Sequence, residues 1–523
     1  MIIDVTSLLL WLGALVRRVV SLLSGCRLTA GASSPLAVLG AASDGRVVTW
    51  PAPSAERACS AVVLGSSGAG KSVLIASMIA QQIELERTAP ARKRTANVIC
   101  DPKGDLAKLV VAGVAALAPD RLVDDLTILA PFERPIPLNV CLAASPHGAS
   151  VRALSLAELV SGTSAALGDH RVVAMGPKQV SLLADVLEGC ITARHPARSA
   201  LWAIDALTVD GGVEMLGALT TSPRARRALG ARINRDLADS CAARLRAAFS
   251  LTEGLEAMVG ASSCMDIDAL TRAGAITIID LSGSPPALRA VWSSILLRAV
   301  MDAALARPSP FDGHHLRISQ DECHLTAPVL SASVEELSTT GRSRSVSLAC
   351  LSQGTVLLDR ASPALVDVLL TNSPTQIIGR VGAPDAKLLS RFVSPSPGVS
   401  ESVGAVQSVF AATVANLADR TFIEMTPGGR TRFRSADVDL AAWTEAADRH
   451  ASAIERAKTR WVLDDTGGER VTLEQAATEG LRSSRRPAAR KRNPTGAKKI
   501  NAPTTPTTGA SEKASMPAST RWG

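Results

Sequence analysis

The sequence predicts an α/β fold: a central, mostly parallel sheet flanked by helices, with an all-α domain inserted into it. Three observations predict it. Short β-type apolar runs alternate with longer helix-forming runs over residues 40–148 and again over 263–436. The run Ala61-Val62-Val63-Leu64 leads into Gly65-Ser66-Ser67-Gly68-Ala69-Gly70-Lys71-Ser72 and then into the helix-forming stretch 73–80. That is the strand–loop–helix order of a phosphate-binding loop. Between the two α/β stretches, residues 149–262 repeat apolar positions at spacings of three and four, with few strand signals, which reads as an inserted domain, with a few core helices of one large domain as the alternative.

The loop carries its own chemistry. Gly65, Gly68 and Gly70 permit backbone conformations closed to other residues, so successive N–H groups of residues 65–72 can point inward around a phosphate. The helix beginning near Gly70 adds the positive end of its dipole. Lys71 is placed to reach the β- and γ-phosphates, and the Ser72 hydroxyl to hold Mg²⁺. The expected ligands are therefore ATP and Mg²⁺.

Composition narrows the field. The 523 residues suggest about two to four domains. With 46% hydrophobic and 20% charged residues the chain is globular rather than disordered. Tyrosine is absent and aromatics total 3%, so platforms for stacking nucleobases are scarce. The nine cysteines are dispersed with no C-x-x-C pair, against a disulfide framework or zinc site and for a reducing compartment. Net charge is +8, yet the stretch from Arg482 onward holds ten Lys/Arg against the single Glu512; removing its +9 leaves −1 for residues 1–481. The body is near neutral and the basicity sits at the end.

Residues 1–25 are apolar around Arg17-Arg18. The part before the arginines makes a helix of roughly 22 Å, short of the roughly 30 Å hydrocarbon layer. Placing each arginine at mid-bilayer costs roughly 2.5–3.5 kcal/mol. A short anchor, an interfacial helix and a buried helix of the fold all fit; membrane association is the favoured expectation. No positive region precedes the apolar one, which disfavours a secretory signal. Val47-Val48-Thr49-Trp50 is expected as a small strand leading into the core.

After the phosphate loop, a β-type run ends in Asp101-Pro102-Lys103-Gly104-Asp105-Leu106. Ligands of doubly wound sheets sit beyond the carboxyl ends of the strands, so Asp101 and Lys103 should lie near the loop. A further strand at 126–130 runs to Pro137-Leu138-Asn139. In this order, the elements resemble the conjugative coupling proteins, DNA-translocating ATPases of type IV secretion systems in the superfamily of the septal DNA translocases and HerA-type helicases. Asp-Pro-Lys-Gly-Asp-Leu is far more selective than the phosphate loop. The resemblance covers roughly residues 60–435 and implies a RecA-like P-loop NTPase core. It also implies that the helical block 149–262 is an inserted domain for recognising substrate or accessory proteins.

Further along, the strand at 316–320 ends in Asp321-Glu322. Asp321 is expected to orient Mg²⁺ and Glu322 to accept a proton from, or align, the attacking water. The strand is unusually polar, with Arg317, Ser319 and Gln320. Ile278-Ile279-Asp280 offers a competing apolar-then-acid ending, but without the second carboxylate. The resemblance further implies that Gln353, ending the strand after Gly341-Arg342-Ser343-Arg344, senses the γ-phosphate, a task suited to a neutral amide. Arg342 or Arg344 is the candidate for offsetting transition-state charge, across a subunit boundary as an arginine finger.

Residues 421–434 read as a hairpin closing the ATPase domain at a sheet edge, 437–481 as helices, and 482–523 as a disordered basic tail. The tail would attract DNA without regard to sequence, or an anionic membrane surface. The expected protein is thus an ATP-driven DNA motor, single- or double-stranded, at the cytoplasmic face of a bacterial inner membrane. Relaxase and secretion-channel proteins are its implied partners, and a homo-hexamer its implied assembly. Two alternatives stand beside it: an assembly ATPase of the secretion apparatus acting on protein, and a scaffold that binds ATP without hydrolysing it.

Overall fold

Buried residues alternate between the two faces of each central strand, and that alternation builds a three-layer sandwich. The computed structural model describes residues 37–50, 60–142, 148–166, 175–231, 233–250, 252–393, 402–426, 429–463 and 471–484. Residues 1–25, with Arg17 and Arg18, and the basic stretch 485–523 lie outside the described residues.

Eleven strands form one sheet. They are β1 Ala37–Ala42, β2 Val47–Trp50, β3 Ala61–Leu64, β4 Ala96–Asp101, β5 Leu126–Leu129, β6 Ile276–Asp280, β7 Leu316–Gln320, β8 Val346–Ser352, β9 Thr375–Ile378, β10 Thr421–Thr426 and β11 Gly429–Ser435. Their spatial order is β2-β1-β11-β10-β9-β3-β8-β7-β4-β6-β5. From β9 to β5 every pairing is parallel. From β9 to β2 every pairing is antiparallel. This is a RecA-like P-loop NTPase core. In β3, Ala61 and Val63 face a core shared with the helices Lys71–Leu85 and Asp105–Leu117. Val62 and Leu64 face the opposite core, shared with Pro286–Leu305 and Ala327–Thr340. Period-two strands buried on both faces require helices on both faces.

Between β5 and β6 the described chain is helical, from Ala149–Ala166 to Ile267–Thr271. Trp202 and Phe249 are fully buried there, in a core continuous with one face of the sheet. The block is therefore packed on the sheet rather than suspended from it.

One expectation about the sheet margin needs correction. The hairpin β10–β11 is not at an edge: β11 pairs with β1, which pairs with β2. β2 is the outermost strand, and its Val48 and Trp50 are buried in the core as expected. The cause of the hairpin's interior place is a strand the hydropathy pattern hides. β1 (Ala-Val-Leu-Gly-Ala-Ala) is short and weakly alternating, and Gly40 lets it approach β11 closely; a Cβ there would lie 2.0 Å from the Arg434 carbonyl oxygen. Phe422 and Phe433 stack across the hairpin with ring centroids 5.7 Å apart, fastening it into the sheet.

The C-terminal helices divide between the two bodies. Trp443 of Leu440–Arg449 packs on Gly113, whereas the segment at 471–484 docks on the inserted helices. There Trp202 Nε1 donates to the Val471 carbonyl at 2.8 Å and the Leu473 N–H to Asp205 at 3.2 Å. The helix Leu473–Ser484 runs past Arg482, so the expected start of the tail falls inside a helix. Among the described residues no helix is long and apolar enough to cross a membrane.

Candidate functional site

Three neighbouring strands, β3, β8 and β7 in that order, end at one place. The loop after β3 is held on both sides. Gly65 N–H donates to the Ser352 carbonyl at 3.2 Å and Ser66 N–H to the Arg380 carbonyl at 2.6 Å. On the outer side Arg420 N–H donates to the Ala69 carbonyl at 3.2 Å. Gly68 and Gly70 have φ of +81° and +93°, the conformations that make glycine necessary there. Lys71 is buried, and its amine donates to the carbonyls of Gly65 at 2.5 Å and Ser66 at 3.2 Å. Ser72 follows it on the first turn of Lys71–Leu85, and Ser67 is exposed at the loop tip.

The acidic couple sits one strand beyond β8. Burial lowers the pKa of Lys71, while the nearby charges of Asp321 and Glu322 act to raise it. The amine and both carboxylates therefore share one electrostatic neighbourhood. Burial, then the neighbouring charges of Asp101 and Glu322, push the Asp321 carboxyl up to about 7. A carboxyl so crowded with negative charge is matched to a cation. Burial also pushes the Glu322 carboxyl up, but hydrogen bonds from Lys103 and Gln353 outweigh it and hold it below its ordinary range. Gln353 Nε2 donates to Glu322 Oε1 at 2.8 Å, and Lys103 Nζ pairs with the same oxygen. Glu322 Oε2 is buried with no hydrogen-bond partner. Its backbone is left-handed, with φ 49° and ψ 46°, a strained state for a non-glycine residue that clusters at functional sites.

Two of the three polar residues of the strand, Arg317 and Gln320, have a structural explanation, while the buried Ser319 hydroxyl has no hydrogen-bond partner. All five residues of β7 are buried. Arg317 donates to Gln82 of the phosphate-loop helix, and Gln320 to Thr326. Polar side chains inside a sheet are tolerated when they find partners.

The other predicted residues are differently engaged. Asp101 ends β4, fully buried, and both its oxygens are occupied by backbone: Lys103 N–H and Ala107 N–H each donate at 2.8 Å. It braces the Asp-Pro-Lys-Gly-Asp turn. Asp280 lies beside it at the end of β6, three strands beyond β8. Arg342 is exposed at the opposite end of β8 from Gln353, and the strand between them spans roughly 23 Å. It therefore does not join the site of its own chain. Arg344 is occupied by the carbonyls of Leu305 and Arg307. Sequence reasoning gave no role to Lys103, although the motif holding it was recognised. It missed Arg380 and Arg420, just after β9 and just before β10, which brace the loop through backbone groups that no motif records.

The donor set fits a magnesium-bound triphosphate: a glycine-lined loop of N–H groups, a buried amine, a hydroxyl beside it and a carboxyl poised for a cation. Fold and site together define a P-loop NTPase core. No family model matches the sequence, and no curated protein does so either. Solved structures do. VirB4 of Thermoanaerobacter pseudethanolicus aligns over 79% of this chain and 98% of its own, with TM-score 0.53 and 13% identity. The bacterial conjugative coupling protein TrwBdeltaN70, in its unbound monoclinic form, aligns over 78% of this chain and 90% of its own, with TM-score 0.50 and 17% identity. At these identities the shared property is the fold.

Proposed function

We propose that this chain is an ATP-hydrolysing motor of a type IV secretion apparatus, which drives DNA, with any attached relaxase, toward a secretion channel. The observation that carries the reading is the convergence of Lys71, Asp321, Glu322 and Gln353 at the ends of adjacent strands. The similarity in fold to VirB4 and to a conjugative coupling protein supports the cellular setting.

In this reading the loop 65–70 and Lys71 bind the phosphates, and Ser72 and Asp321 hold Mg²⁺. The metal, when bound, neutralises charge on the phosphate oxygens. Glu322 accepts the proton of the attacking water, and Gln353 orients Glu322 through the 2.8 Å contact. Arg342 serves the site of a neighbouring copy in a homo-hexamer. The basic stretch beyond Arg482 meets DNA phosphates, and residues 1–25 associate with the inner membrane from its cytoplasmic face.

ATPase rate against protein concentration, with and without single- and double-stranded DNA, tests the reading. A cooperative rise and a DNA stimulation that salt removes are expected. Turnover indifferent to DNA would favour the second reading, an assembly ATPase acting on protein, which the similarity to VirB4 keeps in play. Glu322→Gln should lower kcat by roughly 10²–10⁴-fold with nucleotide binding retained; absence of wild-type turnover would leave only a nucleotide-binding scaffold.

A further inference from the structure

We propose that Lys103 is a positioning residue of the hydrolytic site: together with Gln353 it clamps Oε1 of Glu322 and so fixes the orientation of the carboxylate. The proposal rests on the hydrolytic reading above and deepens it.

Three observations carry it. First, the two oxygens of Glu322 are treated unequally. Oε1 receives both Lys103 Nζ and Gln353 Nε2, whereas Oε2 is buried and accepts no hydrogen bond. The other group facing it, His324 Nδ1, stands 3.4 Å from Oε2 and is itself without a hydrogen-bond partner. A carboxylate gripped twice through one oxygen cannot swivel, so the direction of the other is fixed.

Second, the lysine stands on a rigid base. Its own N–H and that of Ala107 donate to the two oxygens of Asp101, each at 2.8 Å. Gly104 next to it has φ +86°, and a Cβ there would lie 2.7 Å from the Ser282 Cβ. The Asp321 N–H donates to the Cys100 carbonyl at 2.9 Å, tying the end of β7 to the end of β4. The Asp-Pro-Lys-Gly-Asp turn is thus a fixed platform beside the acidic couple, and Asp101 acts through that platform. Third, the left-handed backbone of Glu322 aims its side chain along a path that a relaxed strand end would not take. An anchor on the carboxylate holds that conformation.

Positioning predicts a specific kinetic signature. In the full chain, Lys103→Met should lower kcat roughly 10- to 100-fold, the scale of a misaligned reacting group. KM for ATP and the affinity for a fluorescent ATP analogue with Mg²⁺ should stay within about twofold, because no uniform binding is removed. Lys103→Arg, which keeps the charge in a different shape, should recover part of the rate. In a Glu322→Gln background, Lys103→Met should change the residual rate less than about twofold, since the clamp has lost its target.

An unchanged kcat in Lys103→Met overturns the proposal. So does a KM raised with kcat kept, which makes Lys103 a phosphate ligand. Equal damage in the Glu322→Gln background, or loss of analogue binding with a lowered melting temperature, assigns it a structural role instead and overturns the proposal too. Wild-type turnover with an indifferent Lys103→Met sinks this inference alone; wild-type binding without turnover sinks the hydrolytic reading and this inference with it.

Discussion

Replacing Asp321 by Asn should make the nucleotide-free protein more stable at pH 8 than the wild type, and by less at pH 5. Asp321 is only 4% exposed. Burial, with Asp101 and Glu322 nearby, raises its carboxyl from 3.8 to about 7 in the folded chain. A raised folded value means the folded state holds the proton more tightly than the unfolded state. This favourable contribution is complete below about pH 4 and is lost as pH rises through about 7. A shift of about 3 units corresponds to about 4 kcal/mol. For a unit of the chain's 523 residues, a typical unfolding entropy turns that into a melting shift of about 4 °C. Asn keeps the oxygen that accepts the Glu322 N–H at 3.0 Å but has no proton to lose. The assay is thermal unfolding of both proteins in EDTA at pH 5, 6, 7 and 8; groups common to both cancel in the difference. An identical gap at every pH would refute the argument that a crowded, buried Asp321 awaits a cation.

Three further perturbations test other parts of the structure. Lys71→Met should weaken Mg-ATP binding by about 10- to 100-fold, as charge-assisted contacts to phosphate are lost. Its nucleotide-free melting temperature should stay within about 2 °C, because relief of a buried charge offsets two lost hydrogen bonds. Gly113→Ala should destabilise by about 1–3 kcal/mol in a denaturant titration, since a Cβ there lies 2.8 Å from both the Trp443 ring and the Ala80 Cβ. Arg317→Met alone should cost about 1–3 kcal/mol by stranding Gln82, and Arg317→Met with Gln82→Leu less than that. A double variant worse than the single would show that the pair is not the unit holding β7 to the phosphate-loop helix.

The sequence by itself determined what local rules govern. Gly68 and Gly70 announce a loop that only glycine can make, and Asp321-Glu322 a pair of carboxylates at a strand end, because each feature resides in a few consecutive residues. The buried strands and the helical block between β5 and β6 were legible through their periods. Tertiary structure alone decided the rest. It put β8 between β3 and β7, which brings Gln353 to Glu322. It slid β1 against β11 through Gly40, making an interior hairpin of one that reads as an edge. It turned Asp101 into a brace and set Lys103 on Glu322 across 219 positions of chain. The physical reason is the same in each case. A parallel sheet joins strands far apart in sequence through backbone hydrogen bonds that carry no residue code, so the partners of a side chain at a strand end are fixed by strand order, and strand order is a property of the whole packed core.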